Sequence, residues 1–341
     1  MTMKKFKLLT NTDGRIAVKS PFIIAAHHTE HYPKGNDQMG PSHFLKETNL
    51  GEDFNPDLDF RMYYGKVVPG FPAHPHRGIE TVTLVLDGTV DHTDSLGSMG
   101  RYQKGDVQWM TAGAGIQHCE MFPLLKENED NRFELIQIWL NLPKKNKFVL
   151  PYYQMLWKEN IPVITVKEDL IHEATIKIIA GDFNDTKALK PNPDSWANDE
   201  DNKVKILLID LLPHAKLTLK GSDPKLNRML YLYEGPEILI ENEKMAFKEV
   251  AELKGDENIV LQNLNTHTKL LLLEGMPINE PISARGPFVM NTDEEIMQAY
   301  KDFRETQFGG WPWKNRAPVH SKTTQRFAQF SDGTTEYPNN K

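Results

Sequence analysis

Two short stretches of this sequence carry side chains whose types and spacing could do chemistry. The first is Gly70-Phe-Pro-Ala-His74-Pro-His76-Arg-Gly-Ile-Glu80. The second is Gly105-Asp-Val-Gln-Trp-Met-Thr-Ala-Gly113-Ala-Gly115-Ile-Gln-His118-Cys-Glu120. Residues two apart on an extended chain point to the same face. His74 and His76 therefore aim together, as do His118 and Glu120, while Cys119 aims the other way. Placed on facing strands, the two pairs gather three imidazoles and one carboxylate around a point inside a barrel. Neutral imidazole with carboxylate suits a first-row transition metal that keeps positions open for water and substrate. A lone His-x-His pair is a weak signal. The second pair, preceded by a Gly-Asp turn and a run of glycines, makes it specific against the plain alternative of polar residues lining a wet cavity.

Such a constellation has to be held by strands, and the chain supplies them. Short apolar or alternating runs recur at Thr81 to Leu86, Phe133 to Leu140, Lys205 to Leu212, Met229 to Tyr233, Glu237 to Glu241 and Lys269 to Leu273. Many short strands separated by turn residues imply an all-β sandwich or barrel. At 341 residues, two lobes are the expectation. The halves read as copies. Thr81 to Gly88 is a strand closing on Asp-Gly, and 147 positions later Arg228 to Gly235 closes on Glu-Gly; Gly105-Asp106 recurs 150 positions on as Gly255-Asp256. Carried over by these offsets, the four candidate ligands fall on Gly221, Asp223, Thr268 and Leu270, so the second copy is expected to be blank. His28 to Asp57 and Asp182 to Asn202 lack a strand pattern. Pro143 to Pro151 is the expected joint between the halves. Near the end, Thr292-Asp-Glu-Glu295 is a capping box, followed at helical spacing by Ile296, Met297, Tyr300 and Phe303. That is a packing helix, ended by Gly309 and Gly310.

His74-Pro-His-Arg-Gly-Ile-Glu-Thr-Val-Thr, Gly105-Asp-Val-Gln-Trp-Met-Thr-Ala-Gly and Gly286-Pro-Phe-Val-Met-Asn-Thr closely resemble the signatures of the pirin family within the cupins. Order and spacing match over most of residues 60 to 306. The resemblance implies a bicupin, two β-jelly-roll barrels in tandem with a short C-terminal helix, and a metal, usually iron as Fe(II), in the first barrel only. It implies His74, His76, His118 and Glu120 as ligands. The expected division is 1–145 for the metal-binding barrel with an insertion near 28–57, 146–290 for the metal-free barrel, and 291–341 for a capping helix and tail. Many other cupins use a carboxylate four residues after the second histidine, which is Glu80. The pirin pattern selects Glu120 instead and leaves Glu80 an outer role beside the ligands. Arg77 and Gln108 are assigned nothing.

The remaining histidines read plainly: His27, His28 and His31 cluster without a visible carboxylate partner, His92 follows a strand, and His214 sits in a turn. Cys119, the only cysteine, reads as a small buried apolar group, so no internal disulfide exists. Lys4, Lys5 and Lys7 precede an apolar stretch too short for a signal peptide, and no run approaches a membrane span. The chain therefore reads as cytoplasmic. A net charge of −7 argues against direct nucleic-acid binding. The acid-free stretch with Lys314, Arg316, Lys322 and Arg326 reads as a tail packed on the body.

Three functions fit. The first, implied by the resemblance, is a quercetin 2,3-dioxygenase-like enzyme acting on a flavonol or related enol with O2. There Glu120 serves as general base for the 3-hydroxyl proton. The second is a metal- or redox-sensing regulator that binds protein partners, with Trp311, Trp313, Phe327 and Phe330 as a docking surface. The third is another metal enzyme on the same barrel, such as a zinc isomerase.

Overall fold

The computed structural model describes residues 4–9, 15–43, 55, 58, 60–168 and 173–339. Among them, regular structure is strand throughout except for one α-helix and four single 3-10 turns. Each of the six runs expected as strand lies within one, or within one residue of its end. No helix among the described residues is long and apolar enough to cross a membrane. The chain forms two compact units, residues 27–138, 142–159 and 280–341 in one, and residues 1–26, 139–141 and 160–279 in the other. They are called the first and second barrels below.

In the first barrel, one sheet orders the strands Tyr152–Leu156, Val107–Thr111, Ile79–Asp87, Asn131–Asn141 and Phe22–Tyr32. The unit boundaries fall inside the last two of these. The other sheet orders Thr335–Glu336, Phe327–Gln329, Met99–Gln103, Thr89–Asp94, Ile116–Met121 and Gly70–His76. Both sheets bury residues in one aromatic cluster that includes Tyr32, Tyr102, Phe122, Phe133, Tyr153 and Trp157. Alternation puts every second residue of each strand into that interior.

The second barrel repeats the plan in aliphatic residues. Seven strands run in the order Phe6–Leu9, Val250–Leu253, Asn227–Glu234, Thr268–Gly275, Lys205–Leu211, Ala174–Ala180 and Val163–Val166. Four more run Lys216–Leu219, Ile259–Gln262, Glu237–Ile240 and Glu243–Ala246. Ile176, Leu207, Leu230 and Leu270 of the larger sheet share one core with Leu217, Ile238, Ile259 and Leu261 of the smaller. Each such side chain contributes roughly 1.5–3 kcal/mol by leaving water.

The division differs from the expected one in three places, each decided by strand pairing. Phe6–Leu9 pairs with Val250–Leu253, so the N-terminus belongs to the second barrel. Tyr152–Leu156 pairs with Val107–Thr111, which keeps the expected joint at Pro143 to Pro151 inside the first barrel and moves the crossing to residues 159–160. The tail returns to the first barrel, where Phe327–Gln329 pairs with Met99–Arg101. The expected insertion near 28–57 begins as strand, since Phe22–Tyr32 runs through its first residues; residues 44–54 lie outside the described residues. The expected loop Asp182 to Asn202 contains a two-residue hairpin and two 3-10 turns.

The helix Asp293–Thr306 has the expected capping box: Glu295 N donates to Thr292 Oγ1 at 3.2 Å, and Thr292 N to Glu295 Oε2 at 3.2 Å. Ile296 and Ala299 are its buried residues, and Tyr300 and Phe303 pack beside Phe288 and Phe308. Met297, expected on that face, is exposed. The chain then passes through Gln307 and Phe308, both at positive φ, before Gly309 and Gly310.

Candidate metal centre

Gly70–His76 and Ile116–Met121 lie side by side and antiparallel. His74 stands directly opposite His118, His76 opposite Ile116, and Phe71 opposite Glu120, with a register shift between Phe71 and His74. Such a bulge re-aims the side chains that follow it. The three imidazole centroids are 4.4 to 5.1 Å apart. Each ring offers a nitrogen within 4.8 Å of the other two. His118 is fully buried, His76 nearly so, and His74 half-buried.

Hydrogen bonds to carbonyls assign the tautomers of two of the rings. His74 Nδ1 lies 2.9 Å from the Pro72 carbonyl and His76 Nδ1 3.2 Å from the Pro287 carbonyl. A carbonyl only accepts, so both Nδ1 atoms carry the proton and both Nε2 atoms keep a lone pair. Among the described residues, neither ring nitrogen of His118 has a hydrogen-bond partner. Burial pushes all three rings toward the neutral form. It is the main cause that takes His118 well below the usual histidine value, with His74, His76 and His92 adding to it. It takes His76 down to about 3, with His74 adding to it. His74 is also lowered by burial, against the opposing pull of Glu120. Neutral imidazole is the metal-binding form.

A buried imidazole with two idle nitrogens costs free energy unless something occupies one of them. A divalent transition metal fits that position, and His74, His76 and His118 would hold it.

Glu120 is adjacent but outside the trio. Its Oε2 is 3.9 Å from His118 Nε2. Thr83 Oγ1 donates to Oε1 at 3.2 Å and Gln137 Nε2 to Oε2 at 3.0 Å. Glu80 does not take the outer role expected of it. It is fully buried, and its Oε1 accepts from Trp109 Nε1 at 3.1 Å and Thr111 Oγ1 at 2.7 Å. Thr83 touches Glu120, so Glu80, three residues earlier on the same strand, lies on the opposite sheet face. Arg77 is committed elsewhere, to Asp302 Oδ2 and the Ala114 carbonyl at 2.6 Å each. Cys119 is buried beside Met39, Val68 and Met121, and burial pushes its thiol up to about 12.

Three positions at the site have no role in the sequence reading: His92, Gln108 and Gln137. His92 is fully buried within Thr89–Asp94, with its ring 5.6 Å from that of His118 and stacked on Tyr153 at 4.8 Å. Gln108 Nε2 lies 3.1 Å from His92 Nδ1, which gives Gln108 a place beside the site. The available signal was the alternating run Val90, His92, Asp94 after the Asp87-Gly88 turn. Gln137 was legible too, as the one polar residue inside the apolar run Phe133 to Leu140 that shares a face with Leu135. His27, expected to lack a carboxylate partner, has Glu134 at 2.9 Å.

Comparison with known proteins gives a consistent picture. The Pirin family profile matches residues 15–140, and that of the Pirin C-terminal cupin domain matches residues 206–309. A Thermoplasma acidophilum protein provisionally named quercetin 2,3-dioxygenase is 33% identical, over 73% of this chain and 95% of that one. Mouse Pirin is 34% identical, over 78% of this chain and 88% of its own. A crystal structure described as quercetin 2,3-dioxygenase from Acinetobacter baumannii has a TM-score of 0.69 at 29% identity, covering 89% of this chain and 95% of that one. With two cupin-type barrels, a three-histidine group in the first and both halves of the family matched in order, the chain belongs to the pirin family.

Proposed function

We propose that this protein is a metal-dependent dioxygenase that acts on a flavonol or a related enol with O2, through one metal, Fe(II), in its first barrel. The observation that carries the reading is His118, whose two buried ring nitrogens have no hydrogen-bond partner among the described residues, while the imidazoles of His74 and His76 lie beside it. The names of the Thermoplasma and Acinetobacter relatives support the choice of reaction. A bound metal would supply an acidic anchor for an enolate oxygen and a place for O2 to meet it.

The chain's own residues do the rest. His74, His76 and His118 orient the group they hold, and their burial keeps competing water out. Glu120 serves as a fourth ligand or, released, as the base for the substrate hydroxyl proton. Thr83 and Gln137 hold its carboxylate beside the imidazoles for either task. Anaerobic loading with Fe(II), followed by oxygen uptake against a panel of flavonols and other enols, tests the reading. Uptake tied to ring opening and release of carbon monoxide supports it. Loaded protein that consumes no oxygen with any of them overturns it.

The aromatic tail gives no support to the regulatory alternative, because it is used within the first barrel. Trp313 Nε1 donates to the Asp94 carbonyl at 2.7 Å, Trp311 packs in the Cys119 and Met121 cluster, and Phe330 lies 5.7 Å from the Tyr153 ring. Two of its four cations are paired as well: Arg326 with Asp106 and Glu159, and Lys322 with Glu127.

A further inference from the structure

The Gly286-Pro-Phe-Val-Met stretch is part of the sequence signature and supplies the Pro287 carbonyl that meets His76. It lies alongside the residues that follow His76. Arg77 and Phe288 form an isolated parallel bridge, Val289 N donates to the Arg77 carbonyl at 3.1 Å, and the Pro287 carbonyl meets His76 Nδ1. The approach is tight. A Cβ on Gly78 would come within 2.0 Å of the Val289 carbonyl oxygen, and Gly78 is at φ +79°, a conformation that glycine alone adopts without strain.

One buried side chain ties the two carbonyls on either side of this approach together, that of Lys147. Its Nζ donates to the Gly78 carbonyl at 2.9 Å and to the Val289 carbonyl at 3.0 Å, and the residue is 1% exposed. The next residue along, Arg77, is fixed to Asp302 of the helix at 2.6 Å, with the Phe308 ring 4.5 Å from its guanidinium. A buried ammonium is an expensive way to join two strands, so its position two residues from His76 on one side and from Pro287 on the other calls for a reason.

We propose that Lys147 is a positioning residue of the metal centre. It clamps the 286–290 segment against the His76 strand, so that the Pro287 carbonyl keeps the proton on His76 Nδ1 and the lone pair on Nε2. Outer partners of this kind fix ring orientation and tautomer, and losing one costs roughly 10–100-fold in metal affinity. Without the ammonium the two carbonyls separate, the Pro287 carbonyl moves off Nδ1, and the ring is free to turn or to take the other tautomer.

The inference rests on the reading that the three imidazoles bind a metal, and its test separates the two. Full-length protein and its Lys147→Met variant are titrated with Co(II), whose visible spectrum reports ligand geometry. Affinity is expected to fall about 10–100-fold with a changed spectrum, whereas Leu261→Ala in the second barrel, a destabilised control, keeps both. Equal affinity and an identical spectrum in Lys147→Met overturn the clamp and leave the metal reading standing. Wild-type protein that binds no Co(II) overturns both.

A second measurement stands whether or not the variant folds. In Zn(II)-loaded wild-type protein with 15N-labelled histidine, His76 should show a slowly exchanging Nδ1–H proton, assigned by its loss in His76→Gln. A His76 ring proton on Nε2 instead overturns the proposal.

Discussion

The two barrels set the same pair of strands side by side and fill them differently. In the first, Gly70–His76 lies against Ile116–Met121 and brings His74 opposite His118. In the second, Lys216–Leu219 lies against Ile259–Gln262 and brings Leu217 opposite Leu261 and Leu219 opposite Ile259, all buried. These positions differ from Thr268 and Leu270, where the sequence offset had carried the second histidine-glutamate pair. Thr268–Gly275 belongs to the larger sheet, between Asn227–Glu234 and Lys205–Leu211. The offset of 150 fails because Gly105-Asp106 precedes Val107–Thr111 whereas Gly255-Asp256 follows Val250–Leu253, so the two turns are not counterparts.

The contrast extends to the strand that lies next to Asn131–Asn141. His28, Glu30 and Tyr32 alternate on one face in the first barrel, whereas Leu207, Ile209 and Leu211 do so in the second. One fold thus hosts an interior with buried imidazoles and carboxylates among aromatic residues and one of hydrocarbon. Aliphatic packing is sufficient for the architecture, and the buried imidazoles are an addition that the architecture tolerates at a cost.

The sharpest way to break this comparison is to remove a ligand. His118→Ala should abolish tight metal binding while far-UV dichroism keeps its β signal, since the core is apolar strand. Loss of the fold together with the metal would make the metal structural instead. Wild-type protein should hold one metal per chain by elemental analysis, and two tightly bound metals would erase the difference between the barrels.

Next in size is Glu120→Gln, assayed at saturating Fe(II). A lost general base costs ~10²–10⁴-fold in rate, against roughly 10–100-fold in affinity for a weakened ligand or outer partner. Turnover unchanged in this variant would remove Glu120 from the chemistry.

Leu261→Ala probes the hydrocarbon side and should cost about 2–5 kcal/mol in urea unfolding, with no change in metal content. Metal loss there would mean that the second barrel sets the first one's geometry.

A pH scan sharpens the contrast further. Burial, aided by His27 and Arg61, takes His28 down to about 3 from its ordinary 6.5. Between those values the unfolded chain binds a proton that the folded chain does not, so stability is full above pH 6.5 and falls as pH drops toward 3. By pH 4.5 the loss should reach about 2–3 kcal/mol, and His28→Phe should flatten that slope. An equal slope in the variant would place the acid sensitivity elsewhere.

The smallest effect is expected from Glu80→Gln. The amide oxygen still accepts from Trp109 and Thr111, so stability should fall by only about 1 kcal/mol. Metal affinity and turnover should not move, and a variant that lost its metal would restore Glu80 as a ligand.

Much of this was legible because it is local. Strand parity alone paired His74 with His76 and His118 with Glu120, alternation marked the strands, and Thr292 and Glu295 marked a helix start from four residues. Parity does not carry across a turn. Counting from His76 to Glu80 assumes continuous strand, but the chain turns at Arg77-Gly78, where Gly78 takes φ +79°, and the two residues lie on strands of different sheets. The count restarts after such a turn, and Glu80 emerges on the outer face. What only the tertiary structure decided is of the same kind: Tyr153 stacked on His92, the Pro287 carbonyl on His76, and Lys147 between Gly78 and Val289. Each joins residues distant in sequence through backbone carbonyls or a ring, and neither composition nor periodicity records which carbonyl a fold will bring to which side chain.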